Sequence, residues 1–195
     1  MAFALTKNPP PKNSALPDFV AGPTESGQSI KRQIIATTFQ IGGGRCQIVF
    51  NGSQAFTTGS KVVLPALHEA HLYGQLQADC LKAYANHEGS HNRYTDFQMR
   101  KSGIESAPKL APVPGLDEQM KQLYASIHNI YEDHRIERLV VEDFPGTRPN
   151  LSALRSFLIS RHAENIAEGK LAGLPIGTAL QNALLVCGET ANHYE

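Results

Sequence analysis

The segment His87-Glu88-Gly89-Ser90-His91 is the stretch of this chain that predicts most about its fold. Two histidines spaced by four lie one turn apart on the same side of a helix, so both imidazoles can reach a single metal ion. The glutamate after the first histidine points about 100° around the helix, beside the metal rather than onto it. A general base for a zinc-activated water belongs there. The segment therefore predicts a helix with a catalytic zinc site, in which Glu88 is the base.

The H-E-x-x-H pattern is fairly specific. A chain with 8 histidines among 195 residues contains about 0.02 such matches by chance. The alternative is a helix whose histidines are ordinary core or surface residues. Apolar residues at steps of three or four precede the motif, namely Tyr73, Leu76, Cys80 and Tyr84. This periodicity predicts one long helix from about residue 66 to His91.

Composition excludes several classes of partner. The formal net charge is zero and the pI is near 7.1, so neither nucleic acid nor a membrane surface is expected. No apolar run is long enough to span a bilayer, and Met1–Lys12 does not resemble a signal peptide. Cys46, Cys80 and Cys187 are far apart, which indicates reduced thiols in a cytoplasmic protein and no thiolate metal site.

The first part of the chain divides at about residue 30. Residues 1–30 are rich in proline, serine and glycine and are predicted to be a flexible arm, with one domain over residues 31–195. Cys46–Phe50 and Lys61–Leu64 read as strands, and Gly42–Gly44 as a loop. We expect a mainly α member of the α+β class, in which a small antiparallel sheet packs on the motif helix.

Further helices are expected after the motif. The prolines of Lys101–Gly115 predict a loop. A second long helix is predicted from Leu116-Asp117 to about Val141, with acidic residues in its first turn. Two more are predicted at Leu151–Ala167 and Leu174–Cys187.

A catalytic zinc ion usually has three protein ligands, so a third ligand is needed. His68 and His71 would lie four to five turns upstream on the motif helix, too far to contribute. The metzincin layout is absent, because positions 94 and 97 hold Tyr94 and Phe97 rather than glycine and histidine. The remaining layout takes a carboxylate from a later helix.

Glu132 is the expected third ligand. It shares an apolar stripe of the second long helix with Ala125, His128, Ile136 and Leu139. A carboxylate on such a stripe is costly unless it meets a cation or a metal. Asp133, on the other flank with Glu137, is the fallback ligand. The alternative is a solvated acidic patch paired with Arg135 and Arg138.

These residues carry a resemblance to a known group. The motif is followed by Tyr94–Phe97, then by Asn129-x-x-Glu132-Asp133-x-Arg135-Ile136-Glu137 and Phe144-Pro145-Gly146, and it is preceded by Ala55–Gly59 and Val62–Pro65. This arrangement resembles the zincin-like metallopeptidase region of bacterial and phage proteins related to the CobT-type cobaltochelatase subunit, over about residues 45–150. Those relatives commonly continue into a von Willebrand factor A (VWA) domain and work beside a ring ATPase. No such domain is found in this sequence, which is expected if the sequence is the N-terminal part of a longer protein.

The resemblance implies roles for individual residues. His87, His91 and Glu132 would bind zinc, and Glu88 would move a proton from the activated water to the leaving amine. The strand Lys61-Val62-Val63-Leu64 would be an edge strand that pairs with an extended peptide.

The resemblance leaves two further roles open. The side chain that stabilises the oxyanion of the transition state could be that of His128, Tyr131 or His134. Asp96 either hydrogen-bonds the ring nitrogen of a ligand histidine that does not bind the metal, or acts as a cap or turn residue.

Two functions follow as expectations. The first is a zinc-dependent peptidase acting on a peptide or protein substrate, favoured by the intact Glu88. The alternative is a catalytically weak, zinc-stabilised interaction module working with a VWA domain and an AAA+ ATPase. A nucleic-acid-binding or phage-structural protein with incidental histidines is disfavoured by the neutral charge.

Overall fold

The computed structural model describes residues 22–44, 46–110 and 112–169. Its elements in chain order are β1 (Thr24–Ser26), α1 (Gly27–Ile41), β2 (Gln47–Phe50), β3 (Phe56–Thr57), β4 (Lys61–Leu64), β5 (Leu72–Gly74), α2 (Gln75–Tyr94), α3 (Phe97–Leu110), α4 (Asp117–Asp143) and α5 (Arg148–Ala167), with a 3-10 turn at Pro145–Thr147. The predicted mainly helical composition with small sheets is confirmed. The helix predicted at Leu174–Cys187 lies outside the described residues. No helix among the described residues is long and apolar enough to cross a membrane.

The chain forms two compact units. The first comprises Met1–Thr95 and Ile136–Phe157, and the second comprises Asp96–Arg135 and Leu158–Glu195. The chain passes between the units at three points: one lies between α2 and α3, and the other two lie inside α4 and α5. Among the described elements, the first unit holds the sheets, α1 and α2, and the second holds α3 and the larger part of α4.

The apolar core of the first unit lies between α1, α2 and the sheet. Its buried members are Ile30, Ile34, Val62, Leu64, Ala78, Leu81 and Ala85. Alanines on α2 allow α1 to approach closely, and each aliphatic side chain removed from water contributes about 1.5–3 kcal/mol. This packing holds the motif helix against the sheet.

Residues 24–30 are not part of an unstructured arm, contrary to the prediction. β1 pairs antiparallel with β5, and the hydroxyl of Ser26 accepts the amide of Ser29 to cap α1. The physical reason is the burial of Ile30 and Ile34, because a helix that begins at Gly27 brings both onto one face. Residues 1–21 of the predicted arm lie outside the described residues.

The motif helix begins later than predicted, at Gln75 rather than near residue 66. The backbone of Leu72–Gly74 pairs with β1 instead, so helical bonding starts only after Gly74. His68 and His71 therefore lie in an exposed segment before α2. The prediction that they lie on the motif helix is wrong.

The predicted loop over Lys101–Gly115 is largely helical. The carboxylate of Asp96 accepts the amides of Gln98 and Met99 at 3.0 and 2.8 Å and so starts α3. Pro108 lies in the last turn of that helix, where it has no amide proton to donate to the carbonyl of Ile104 four residues earlier.

The three-stranded sheet is mixed rather than antiparallel. Its order is β2-β4-β3, with β2 parallel and β3 antiparallel to β4. Lys61–Leu64 is thus the central strand, and the prediction that it is an edge strand is wrong. The reason is that Val62, Val63 and Leu64 are all buried, as is typical of a strand covered on both faces.

Gly27 provides a test of how closely the start of α1 packs against the segment at Leu67 and His68. A methyl group added there would lie 2.2 Å from the carbonyl oxygen of His68. We expect Gly27→Ala to lower the free energy of unfolding by about 2 kcal/mol, because the backbone must shift. At Gly146 an added methyl group meets nothing within 4 Å, so Gly146→Ala should change it by less than about 0.5 kcal/mol. Urea unfolding followed by circular dichroism measures both; equal effects would contradict the close approach.

Candidate metal centre

The second half of α2 is buried in the first unit. A methyl group added at Gly89 would lie 3.4 Å from Ile41 and 3.5 Å from Thr38, so α1 packs directly on the motif. As a result, His87, Glu88 and His91 are 3%, 2% and 8% exposed. Their polar atoms must therefore be satisfied inside the protein.

The two histidine rings converge. Their centroids are 4.9 Å apart and their planes are nearly perpendicular. The Nδ1 of His87 donates to Glu137 Oε1 at 2.8 Å, and the Nδ1 of His91 pairs with the Thr95 hydroxyl at 2.9 Å. A carboxylate only accepts, so the proton of neutral His87 is on Nδ1 and its Nε2 would be the coordinating atom. Ligand histidines are commonly oriented in this way.

Asp133 completes a group of three possible ligands. One ligand atom from each of His87, His91 and Asp133 lies within 4.8 Å of the others. Asp133 is carried by the continuous helix α4, one turn before Glu137. It is buried, and the side-chain amide of Asn129 donates to its Oδ2 at 3.0 Å. Each of the three possible ligands also makes a hydrogen bond to a neighbouring side chain.

Glu132, the expected third ligand, does not belong to this group. Its carboxylate accepts two hydrogen bonds from Arg135, at 2.8 Å from Nε and 2.7 Å from Nη2. Consecutive helical residues point about 100° apart, so Glu132 and Asp133 face different directions. The fallback residue, Asp133, is thus the one that the structure brings to the histidines.

Glu137 and Arg155 form a second layer behind His87. Glu137 bonds His87 with one carboxylate oxygen and pairs with Arg155 through the other. Both residues are buried, at 7% exposure each. An ion pair buried in this way fixes the carboxylate and, through it, the orientation of the imidazole.

Buried acidic side chains are concentrated at the site. Among the described residues, the buried acidic side chains are Glu88, Asp133 and Glu137, and the buried basic one besides histidine is Arg155. Carboxylates and imidazoles are the side-chain groups that commonly bind divalent transition metals. Two imidazoles and a carboxylate suit zinc.

The other predicted site residues lie elsewhere. Asp96 is exposed and caps α3, which is the second of its two expected roles. Tyr131 is 64% exposed and points about 200° around α4 from Asp133. His128 and His134 are half-buried, and burial lowers the pKa of His128. None of these residues belongs to the group formed by His87, His91 and Asp133.

Cysteine chemistry is not part of the site. Cys80 is fully buried in α2, and burial raises the pKa of its thiol to about 12. It therefore stays protonated at neutral pH and is a poor ligand and nucleophile.

The supporting roles of Thr95, Asn129, Glu137 and Arg155 were not predicted from the sequence. A signal existed for two of them, because Asn129, Asp133 and Glu137 are spaced by four and thus share one face of a helix. Arg155 had no local signal, since it comes from the following helix.

Comparison with known proteins returned no relative: no family model, no curated protein and no solved structure matches the chain. A metal site is therefore supported by the geometry of α2 and α4 alone.

Adjacent residues on α4 test the ligand assignment. We expect Asp133→Asn to weaken zinc binding by on the order of 100-fold, because a ligand should matter at least as much as an outer partner, whose loss costs about 10- to 100-fold. Glu132→Gln is the matched control and should change the affinity less than about twofold. Competition with a chromophoric chelator measures both affinities. The reverse ranking would restore Glu132 as the ligand.

The layer behind His87 can be tested separately. Glu137→Gln keeps an acceptor for Nδ1 but removes the charge, so we expect about 10-fold weaker zinc binding. Glu142→Gln, on the exposed side of the same helix, serves as the control. Equal affinities in both variants, with unchanged melting temperatures, would show that Glu137 does not support the ligand.

Proposed function

We propose that this chain is a zinc-dependent peptidase with a zincin-like fold. His87, His91 and Asp133 would hold the metal, and Asp133 takes the role that the resemblance assigns to Glu132. The observation that carries the proposal is the convergence within 4.8 Å of the two motif histidines and a carboxylate from a later helix. Hydrogen bonds to all three ligands support it.

The chemistry would follow from the neighbouring side chains. Bound zinc supplies a Lewis acid that lowers the pKa of water to about 7 and polarises a carbonyl group. Glu88 would accept the proton of the attacking water on its carboxylate and pass it to the nitrogen of the leaving amine. Glu137 and Arg155 would keep His87 in the required tautomer and orientation.

The substrate would be a peptide or protein chain, and β3 offers an edge strand that contacts α2 beside the motif. The hydroxyl of Thr57 donates to the side chain of Asn92, next to His91, at 2.9 Å. One side of β3 pairs with β4, and no described strand pairs with its other side. An extended peptide would add a strand at this edge.

One observation favours the alternative, a cytoplasmic zinc-stabilised interaction module. His87, Glu88, His91 and Asp133 are each at most 8% exposed. Structural zinc sites are closed, whereas catalytic ones keep a position open to substrate. As the resemblance implies, such a module would work with a VWA domain and a ring ATPase.

Glu88→Gln separates the two functions. For a peptidase we expect wild-type protein to carry stoichiometric zinc and to cleave a mixed peptide library. Glu88→Gln should retain the zinc and lose about 100- to 10,000-fold in rate, because the base is gone. The exposed Glu105→Gln is the control and should match wild type. Mass spectrometry of the products and elemental analysis of the metal provide the readouts.

Each other result points elsewhere. Zinc without hydrolysis in the wild type supports the interaction module. Hydrolysis that is unchanged in Glu88→Gln removes Glu88 as the base. Wild-type protein that binds no zinc overturns both functions.

A further inference from the structure

The first unit contains a cleft that is distinct from the candidate metal centre. It has a volume of about 430 Å³ and lies between α1, α2 and the turn that joins α4 to α5. Its lining includes none of His87, His91 and Asp133. Sites for small ligands typically have volumes of about 300–1,000 Å³, so the cleft is large enough for a short peptide segment.

The charged residues of the cleft already have partners within the protein. The ammonium group of Lys82 pairs with Glu25 at 2.7 Å. The carboxylate of Asp143 accepts the Tyr94 hydroxyl at 2.7 Å and lies 3.8 Å from Arg93. The cleft therefore offers little unbalanced charge to an anion or a cation, and an uncharged ligand fits it better.

Four uncharged polar residues of the cleft have no side-chain hydrogen bond to the described residues, whereas Gln33 and Thr147 each have one. Thr37, Gln40, Asn86 and Asn150 line it, and their side chains make no hydrogen bond to the described residues. Water can serve the more exposed ones, but Asn86 is only 2% exposed. Buried side-chain amides nearly always have a hydrogen-bond partner. The cleft is where a partner for Asn86 can come from.

Asn86 therefore points to the chemistry of the ligand. A side-chain amide combines donors with an acceptor, and so does a peptide group. Ile34, Phe144 and Pro145 add apolar surface to the same cleft. We propose that this cleft binds an extended, uncharged peptide segment whose backbone hydrogen-bonds Asn86.

In a peptidase of the proposed kind, this segment would belong to the substrate, away from the bond that is cleaved. The assignment of this segment to a substrate rests on the proposed function, whereas the binding of a peptide in the cleft does not. Asn86 directly precedes His87 in α2, so a substrate held here would be connected to the metal centre through one rigid helix.

The probe is pentaalanine with a blocked amino end and a blocked carboxyl end, added to the full-length protein labelled with nitrogen-15. We expect the side-chain amide resonances of Asn86, Gln40 and Asn150 to shift in a saturable way. The exposed Asn51 should not respond. In Asn86→Ala the dissociation constant should rise at least tenfold, and in Asn51→Ala it should change less than twofold. Asn150→Ala, with a several-fold expected rise, is a second test if Asn86→Ala does not fold.

Several outcomes would overturn the proposal. One is the absence of saturable shifts at 10 mM peptide, a concentration far above that of a useful site (dissociation constants near 1 mM correspond to about −4 kcal/mol). Another is the finding that a neutral disaccharide shifts the same resonances at a lower concentration than the peptide does. Zinc content measured on the same samples keeps this test separate. Peptide binding without zinc sustains the cleft and overturns the peptidase, whereas zinc without peptide binding overturns the cleft and sustains the metal centre.

Discussion

The hydrogen bond between His87 and Glu137 is the constraint on which the candidate centre depends. It connects α2 to α4 inside the protein at 2.8 Å, and it assigns the proton of neutral His87 to Nδ1. Arg155 pairs with the second oxygen of Glu137. The helices cannot shift along each other without separating a buried carboxylate from both of its partners, which is costly.

Burial gives this centre its order and also limits its access. Because α1 packs directly on Gly89, the motif turn lies in the interior rather than at the mouth of a cleft. Polar groups in such surroundings interact strongly and must be fully satisfied. A zinc ion would suit such surroundings in a stabilising role, whereas a catalytic role also needs a position open to the substrate.

Helix α2 carries two polar stripes on neighbouring faces. His87 and His91 form one, and Lys82 and Asn86 form the other, each with a spacing of four. The stripes are displaced by about 100°, the angle between consecutive residues of a helix. One rigid element thus positions both the candidate metal ligands and the cleft, and a displacement of this helix would alter both together.

Local patterns determined much of this protein from the sequence alone. The spacing of His87 and His91 requires only helical geometry, and α4 follows its apolar and acidic pattern from Asp117 onward. Patterns failed where long-range pairing decides the structure. Leu72–Gly74 could extend α2 by periodicity, but its backbone bonds to β1. Likewise, the strand at Lys61–Leu64 was predicted, whereas its central position was not.

The choice of the third ligand shows the same division. The sequence placed Glu132 and Asp133 on one helix as adjacent carboxylates, and apolar periodicity favoured Glu132. Only the tertiary structure decides which of the two carboxylates meets the histidines: Asp133 belongs to their group, and Glu132 bonds Arg135. Arg155 was beyond prediction for the same reason, because its pairing with Glu137 arises from the packing of α5. A sequence encodes which donors a helix carries, and packing decides which of them meet.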